Sequence, residues 1–239
     1  MKKTLFAGAV LAVSVAAVGC SSSPTQDPGV VNNNNNNNNV CDAKSGVDKT
    51  TCYPTADVGI NARKGSIAGN RIQNYKFIGY GTDASAAKLD TGKGSGTVQL
   101  SDYFDPKSDK YSIIILNVAA RWCGPCNQET DEIVSGVAAT YGPKKVVFVQ
   151  AITEGLDYKP ATMDDLNGWI GDHTNNFTTM LDPNQVNLGV FFDRAAIPFN
   201  AVIDARSMEI LYAGTGAPLD FGAFLDKYLA QVKTLPAKP

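Results

Sequence analysis

Cys123 and Cys126 stand three positions apart in Trp122-Cys123-Gly124-Pro125-Cys126, shortly after the apolar run Ile113-Ile114-Ile115-Leu116-Asn117-Val118. Two thiols at this spacing can close a disulfide. An apolar strand that leads into such a pair, with a helical pattern following, is a layout for thiol–disulfide exchange. At a helix start the first sulfur faces the positive end of the helix dipole, which favours thiolate over thiol. Cys123 is therefore the expected nucleophile and Cys126 the expected resolving partner. A covalent haem site needs His directly after the second Cys, where this chain has Asn127. A zinc site needs a second ligand pair, and Cys41 and Cys52 are far away and badly spaced for it. The single histidine, His173, leaves little room for His-dependent catalysis or a multi-His metal site. No metal and no cofactor are expected, and a purely structural disulfide is the competing reading of the pair.

The elements that must carry these cysteines follow from periodicity. Ser112 to Val118 and Lys145 to Ile152 read as buried strands through their continuous branched apolar runs. Asn127 to Tyr141 reads as a helix ended by Gly142-Pro143. Tyr75 to Tyr80, Thr97 to Leu100 and Phe177 to Leu181 read as short strands. Ala161 to Gly171 is a helical stretch, and Asp182-Pro183-Asn184 turns into a short helical piece through Phe192. Ala201 to Ile203 and Glu209 to Ala213 make a hairpin before a closing helix from Asp220 to Val232. This alternation predicts an α/β sandwich around a mixed sheet. Gly92-Lys93 lacks the Ser or Thr and the upstream Gly of a phosphate-binding loop.

The 239 residues carry a net charge of -2, which argues against nucleic acid as a partner. Residues 1–19 read as a signal segment: Lys2 and Lys3 precede an apolar stretch from Leu5 to Val18, and Ala17-Val18-Gly19-Cys20 supplies a small-residue cleavage site. It resembles a bacterial lipoprotein signal, which implies lipidation at Cys20, with Ser21 favouring the outer membrane on its periplasmic side. An ordinary secretory signal is the competing reading. Residues 20–40 form a polar tether containing the tract Asn32 to Asn39, with too little apolar surface to fold. Its root-mean-square span is ~25 Å on flexible-linker scaling. With Cys20 lipidated, four cysteines remain for an oxidising compartment. Pairing Cys123 with Cys126 leaves Cys41 with Cys52, a structural staple in an extension over 41–74 worth ~3 kcal/mol in the chain-entropy model. Residues 233–239 are a tail.

Four local patterns occur in order: Leu116-Asn117-Val118 followed by Trp122-Cys123-Gly124-Pro125-Cys126; Glu129 three beyond Cys126; Leu181-Asp182-Pro183; and Ile197-Pro198 before Ala201-Val202-Ile203-Asp204. With them, residues 75–232 resemble the thioredoxin superfamily, in particular its membrane-anchored extracytoplasmic thiol–disulfide oxidoreductases, the TlpA-like and ResA-like proteins. The resemblance implies a thioredoxin-like sandwich, a central mixed sheet flanked by helices, here with an N-terminal β extension. It implies a cis Pro198 against the disulfide, and a substrate segment received by Ile197, Pro198 and Trp122. Ile197 departs from the Thr common at that position. Asn117 replaces the buried Asp of cytoplasmic thioredoxins, so proton exchange passes to Glu129, whose pKa burial would raise; a solvated surface glutamate is the alternative. Arg121, Glu154, Asp157, Asp164 and Asp165 are expected to be solvated and outside the site. The resemblance further implies a monomer that reduces protein disulfides and is re-reduced by a membrane electron donor. Two other functions compete. A thiol-dependent peroxidase of the redoxin type has its cysteine in a Pro-x-x-x-Thr/Ser-x-x-Cys setting, whereas Val118-Ala119-Ala120-Arg121-Trp122 precedes Cys123 here. A non-enzymatic binding domain would keep the disulfide as structure.

Overall fold

A computed structural model describes residues 52–54, 66–82, 89–194 and 196–236. Its centre is made by two runs of branched apolar residues. β3 (Ile113–Ala119) and β4 (Val146–Ile152) are buried at every position. They pair in parallel, from Ile113 opposite Val146 to Ala119 opposite Ile152. Stiff branched side chains suit a pleated surface covered on both faces. β5 (Thr178–Leu181) extends the parallel pairing beyond β4. On the other side β6 (Phe199–Asp204) lies antiparallel to β3, and β7 (Glu209–Thr215) antiparallel to β6. β1 (Lys76–Tyr80) and β2 (Gly96–Gln99) add an antiparallel pair next to β5. The result is a seven-stranded mixed sheet ordered β2-β1-β5-β4-β3-β6-β7.

Parallel neighbours need crossovers, and helices supply them. α1 (Gly124–Glu132), a π turn (Ile133–Val137) and α2 (Ala138–Tyr141) connect β3 to β4. α3 (Met163–His173) connects β4 to β5, and α4 (Phe221–Thr234) follows β7. Alternation along β3 sorts the packing. Ile113 and Ile115 meet Ile133, Phe221 and Leu225, and Ala119 meets Leu166 and Trp169. Ile114, Leu116 and Val118 face the opposite layer, with Tyr53, Ile72, Tyr103 and Leu188. That layer comes from irregular chain and the 3₁₀ turns Leu100–Tyr103 and Leu188–Val190. Each such Ile or Leu contributes ~1.5–3 kcal/mol by burial.

Two differences from the sequence reading have local causes. The helix begins at Gly124, three residues earlier than expected, because a proline in the first turn has no hydrogen bond to lose. It then widens into the π turn around Ser135 and Gly136, both weak helix formers. In the 41–74 extension, Gly69, Asn70 and Ile72 bond through their backbone to Met208 and Ile210 at the start of β7. Cys52 is disulfide-bonded. Cys41, its expected partner, lies outside the described residues, as do Cys20, the signal segment and the Asn tract.

Candidate active site

The C-terminal end of β3 delivers the cysteine pair. Beyond Ala119 the Cys123 N–H donates to the Ala120 carbonyl at 3.1 Å, and Cys123 caps α1 in an extended conformation. The first amides of a helix have no carbonyl partner within it. One of them, the Cys126 N–H, points at Cys123 Sγ at 3.2 Å. The two sulfurs are bonded, at 2.03 Å. Cys126 is sealed and Cys123 keeps 2% exposure, so of the pair only the Cys123 residue reaches the surface.

The loop entering β6 closes over the pair. The Ile197–Pro198 bond is cis. Pro198 is buried and Ile197 half-buried, and the Ile197 carbonyl oxygen lies 3.9 Å from Cys123 Sγ. The Pro198 carbonyl accepts from Gly216 N–H at 2.7 Å, which fixes this loop to the end of β7. Ile197 and Trp122 pack on the apolar cluster that contains both cysteines.

Trp122 is held on two sides. Its Nε1–H donates to Glu154 Oε2 at 2.7 Å, and its ring stacks on Tyr158 at 5.0 Å. Glu154 is thus a half-buried partner of the site wall, contrary to the expected solvated loop acid. Arg121 and Asp165 also depart from expectation. The Arg121 guanidinium, with a side chain only 17% exposed, pairs with Asp172 at 2.8 Å and with Asp165 at 3.5 Å, tying the active-site turn to α3. Asp157 and Asp164 are exposed, Asp157 paired with Lys159.

Behind the disulfide a polar row crosses the apolar sheet. Asn117 on β3 stands opposite Gln150 on β4 and opposite Asn200 on β6. Glu129, one helical turn beyond Cys126, reaches this row from α1. Its Oε2 accepts from Asn117 Nδ2 at 2.8 Å and its Oε1 from Asn200 Nδ2 at 2.7 Å. Glu129 is 2% exposed, which removes the alternative of a solvated surface glutamate. Burial pushes its carboxyl from 4.5 up to about 7, with a smaller push from Glu132, while the Asn200 and Asn117 amides pull the other way. Desolvation outweighs two hydrogen bonds here. Gln150 Nε2 continues the network to Asn117 Oδ1 and Thr130 Oγ1, both at 2.8 Å. Gln150 Oε1 accepts from Trp169 Nε1–H at 2.7 Å. Thr130 Oγ1 in turn donates to the Cys126 carbonyl at 2.9 Å, joining the network to the turn that carries the resolving sulfur.

The sequence reading did not single out Gln150 or Asn200, and it placed Glu154 outside the site. The first two carried a usable signal, since each interrupts an apolar strand run at the register position that faces Asn117. Glu154 carried none, because only the fold brings it to Trp122. A cysteine pair at a helix start, beside a carboxyl that exchanges its proton near neutrality, can perform thiol–disulfide exchange. Among the described residues no cluster of three or more His, Cys, Asp or Glu could hold a metal ion, and no helix is long and apolar enough to cross a membrane.

No protein-family model and no curated protein matches this sequence. Solved structures resemble it at low identity. A candidate protein disulfide isomerase from Bacteroides thetaiotaomicron aligns at a TM-score of 0.50 and 15% identity, over 72% of this chain and 91% of its own. A candidate thiol:disulfide interchange protein, DsbE, from Chlorobium tepidum aligns at a TM-score of 0.49 and 23% identity, over 71% of this chain and 97% of its own. The fold is a thioredoxin-like α/β sandwich with a mixed central sheet.

Proposed function

We propose that this chain is a thiol–disulfide oxidoreductase that reduces protein disulfides outside the cytoplasm, anchored through lipid at Cys20. The observation that carries this reading is the closed Cys123–Cys126 disulfide at the start of α1, against the Ile197 carbonyl. In the reduced enzyme the Cys123 thiolate, stabilised by the Cys126 N–H, attacks one sulfur of a substrate disulfide. That S–S bond breaks, a mixed disulfide forms, and the departing substrate thiolate takes up a proton. Cys126 then gives its proton to Glu129 and attacks Cys123 Sγ. The mixed disulfide breaks, and the second substrate sulfur leaves as a thiol once protonated. Two electrons pass from the cysteine pair to the substrate, leaving the pair oxidised. A membrane dithiol donor must re-reduce it, because the compartment is oxidising.

Trp122, Ile197 and Pro198 serve as the wall and edge that receive an extended substrate segment, by short strand-like pairing. The signal segment over residues 1–19, the Cys20 that follows it and the polar tether over 20–40 support the anchored, extracytoplasmic part of the reading. So does the disulfide at Cys52, with the proposed staple to Cys41. A Cys126→Ser variant tests the reaction. Without the resolving sulfur, the mixed disulfide at Cys123 should persist and be recovered from cells as reductant-sensitive adducts. Absence of any adduct on Cys126→Ser, with Cys123 reactive towards a small disulfide, would count against protein substrates.

A further inference from the structure

His173, the one histidine of the chain, has no part in the exchange just described, yet it is built into the site. It ends α3 and is 8% exposed. Its ring lies on Trp169 with centroids 4.3 Å apart. Nδ1 is 2.7 Å from Asp131 Oδ1 and Nε2 is 3.0 Å from Asn127 Oδ1, both residues on α1. The orientation of the Asn127 amide follows from its other contacts. Asn127 Nδ2 donates to the Cys123 carbonyl at 2.7 Å and to the Arg121 carbonyl at 3.3 Å. Turned over, the amide would set its oxygen against two carbonyl oxygens, so Oδ1 faces the ring and Nε2 must donate. Nδ1 faces the Asp131 carboxylate, so the ring is held at both nitrogens by α1.

A chain of hydrogen bonds thus runs from the exposed Asp131 carboxylate through His173 and Asn127 to the backbone of the nucleophile. The Cys123 carbonyl also accepts the Asn127 backbone N–H at 3.1 Å. The two bonds together fix the cap from which the Cys126 N–H reaches Cys123 Sγ. We propose that His173 is a positioning residue of the redox pair, holding Asn127 against the Cys123 carbonyl. The charged group against the ring is Asp131 from α1, and its sequence neighbour Asp172 is paired with Arg121.

The inference rests on the redox reading, and the tests separate the two. Because the chain has a single histidine, its ring nitrogen NMR signals are unambiguous in the wild-type protein. Coupling is reciprocal, so those signals should move when the cysteine pair is reduced. Signals unchanged between the two redox states would overturn the proposal. In glutathione buffers, His173→Phe keeps a ring on Trp169 and removes both ring nitrogens. It should shift the equilibrium constant of the cysteine pair at least ~3-fold towards the disulfide, or ~15 mV for a two-electron couple. Asn127→Ala should give a shift of similar size, and the double variant no more than either alone. Additive shifts, or none, would overturn the positioning role. A wild-type pair that never equilibrates with glutathione would instead overturn the redox reading.

Discussion

Replacing Glu129 by Gln removes the titrating group and keeps its shape. In the oxidised protein, burial holds this carboxyl at about 7 against an ordinary 4.5. A raised folded-state value means that the folded protein holds the proton more tightly than the unfolded chain. The stability this contributes is fully present below 4.5 and is lost as pH rises through about 7. At ~1.4 kcal/mol per pKa unit, the loss across that window is at most ~3–4 kcal/mol. The amide that Glu129→Gln introduces does not titrate, so the difference in unfolding free energy between variant and wild type should move in favour of the variant by up to that amount between pH 4.5 and 8. A constant offset is also expected. Both Glu129 oxygens accept from asparagine amides, and the Gln amide would set a donor against one of them, at ~1–3 kcal/mol. Urea unfolding of both oxidised proteins at intervals across this range measures the quantity, and other titrating groups cancel in the difference. A pH-independent difference would refute burial as the cause of the raised carboxyl.

The same site and the β1–β5 pairing give further expectations. Glu129→Gln should slow resolution of a mixed disulfide ~100-fold near neutral pH, the low end of general acid–base contributions; stopped-flow release of a thiol from a preformed Cys123 adduct would show it, and an unchanged pH–rate profile would remove Glu129 from the mechanism. Asn117→Asp would set a second carboxyl against Glu129 Oε2, where the amide now sits at 2.8 Å. The two would have to share a proton, and stability should fall by ~3–5 kcal/mol at pH 8 and by much less at pH 5, read by denaturant unfolding. A Cβ at Gly79 would meet Met180 Cα at 2.5 Å and Thr179 O at 2.6 Å. Gly79→Ala should therefore part β1 from β5 and cost ~1–3 kcal/mol in the same assay.

What the sequence disclosed follows the physics of each element. β3 and β4 were visible because a strand buried on both faces needs an unbroken branched apolar run. Cys123 and Cys126 were visible because their chemistry depends on spacing within a few residues. Helix α1 was placed three residues late, since Gly124-Pro125 reads as a break unless the capping role of Cys123 is known. The polar row was half visible. Asn117 stood out within its apolar run, but its partnership with Asn200 depends on a register set 83 residues away. Glu154 on Trp122 and His173 on Asn127 are tertiary contacts between side chains 32 and 46 residues apart. No local periodicity encodes such contacts, because they arise where a crossover helix and a loop converge on the end of β3.

The central claim is that Cys123 and Cys126 form a reversible redox pair poised to donate electrons. The direct measurement is the midpoint potential of that pair in the protein, equilibrated in thiol redox buffers at pH 7 with trapping of free thiols. A two-electron transition near the ~−270 mV of thioredoxin is the predicted result. A transition near the ~−120 mV of a strong disulfide donor would reverse the direction of electron flow. A pair that stays oxidised across the whole buffer series would contradict the account outright.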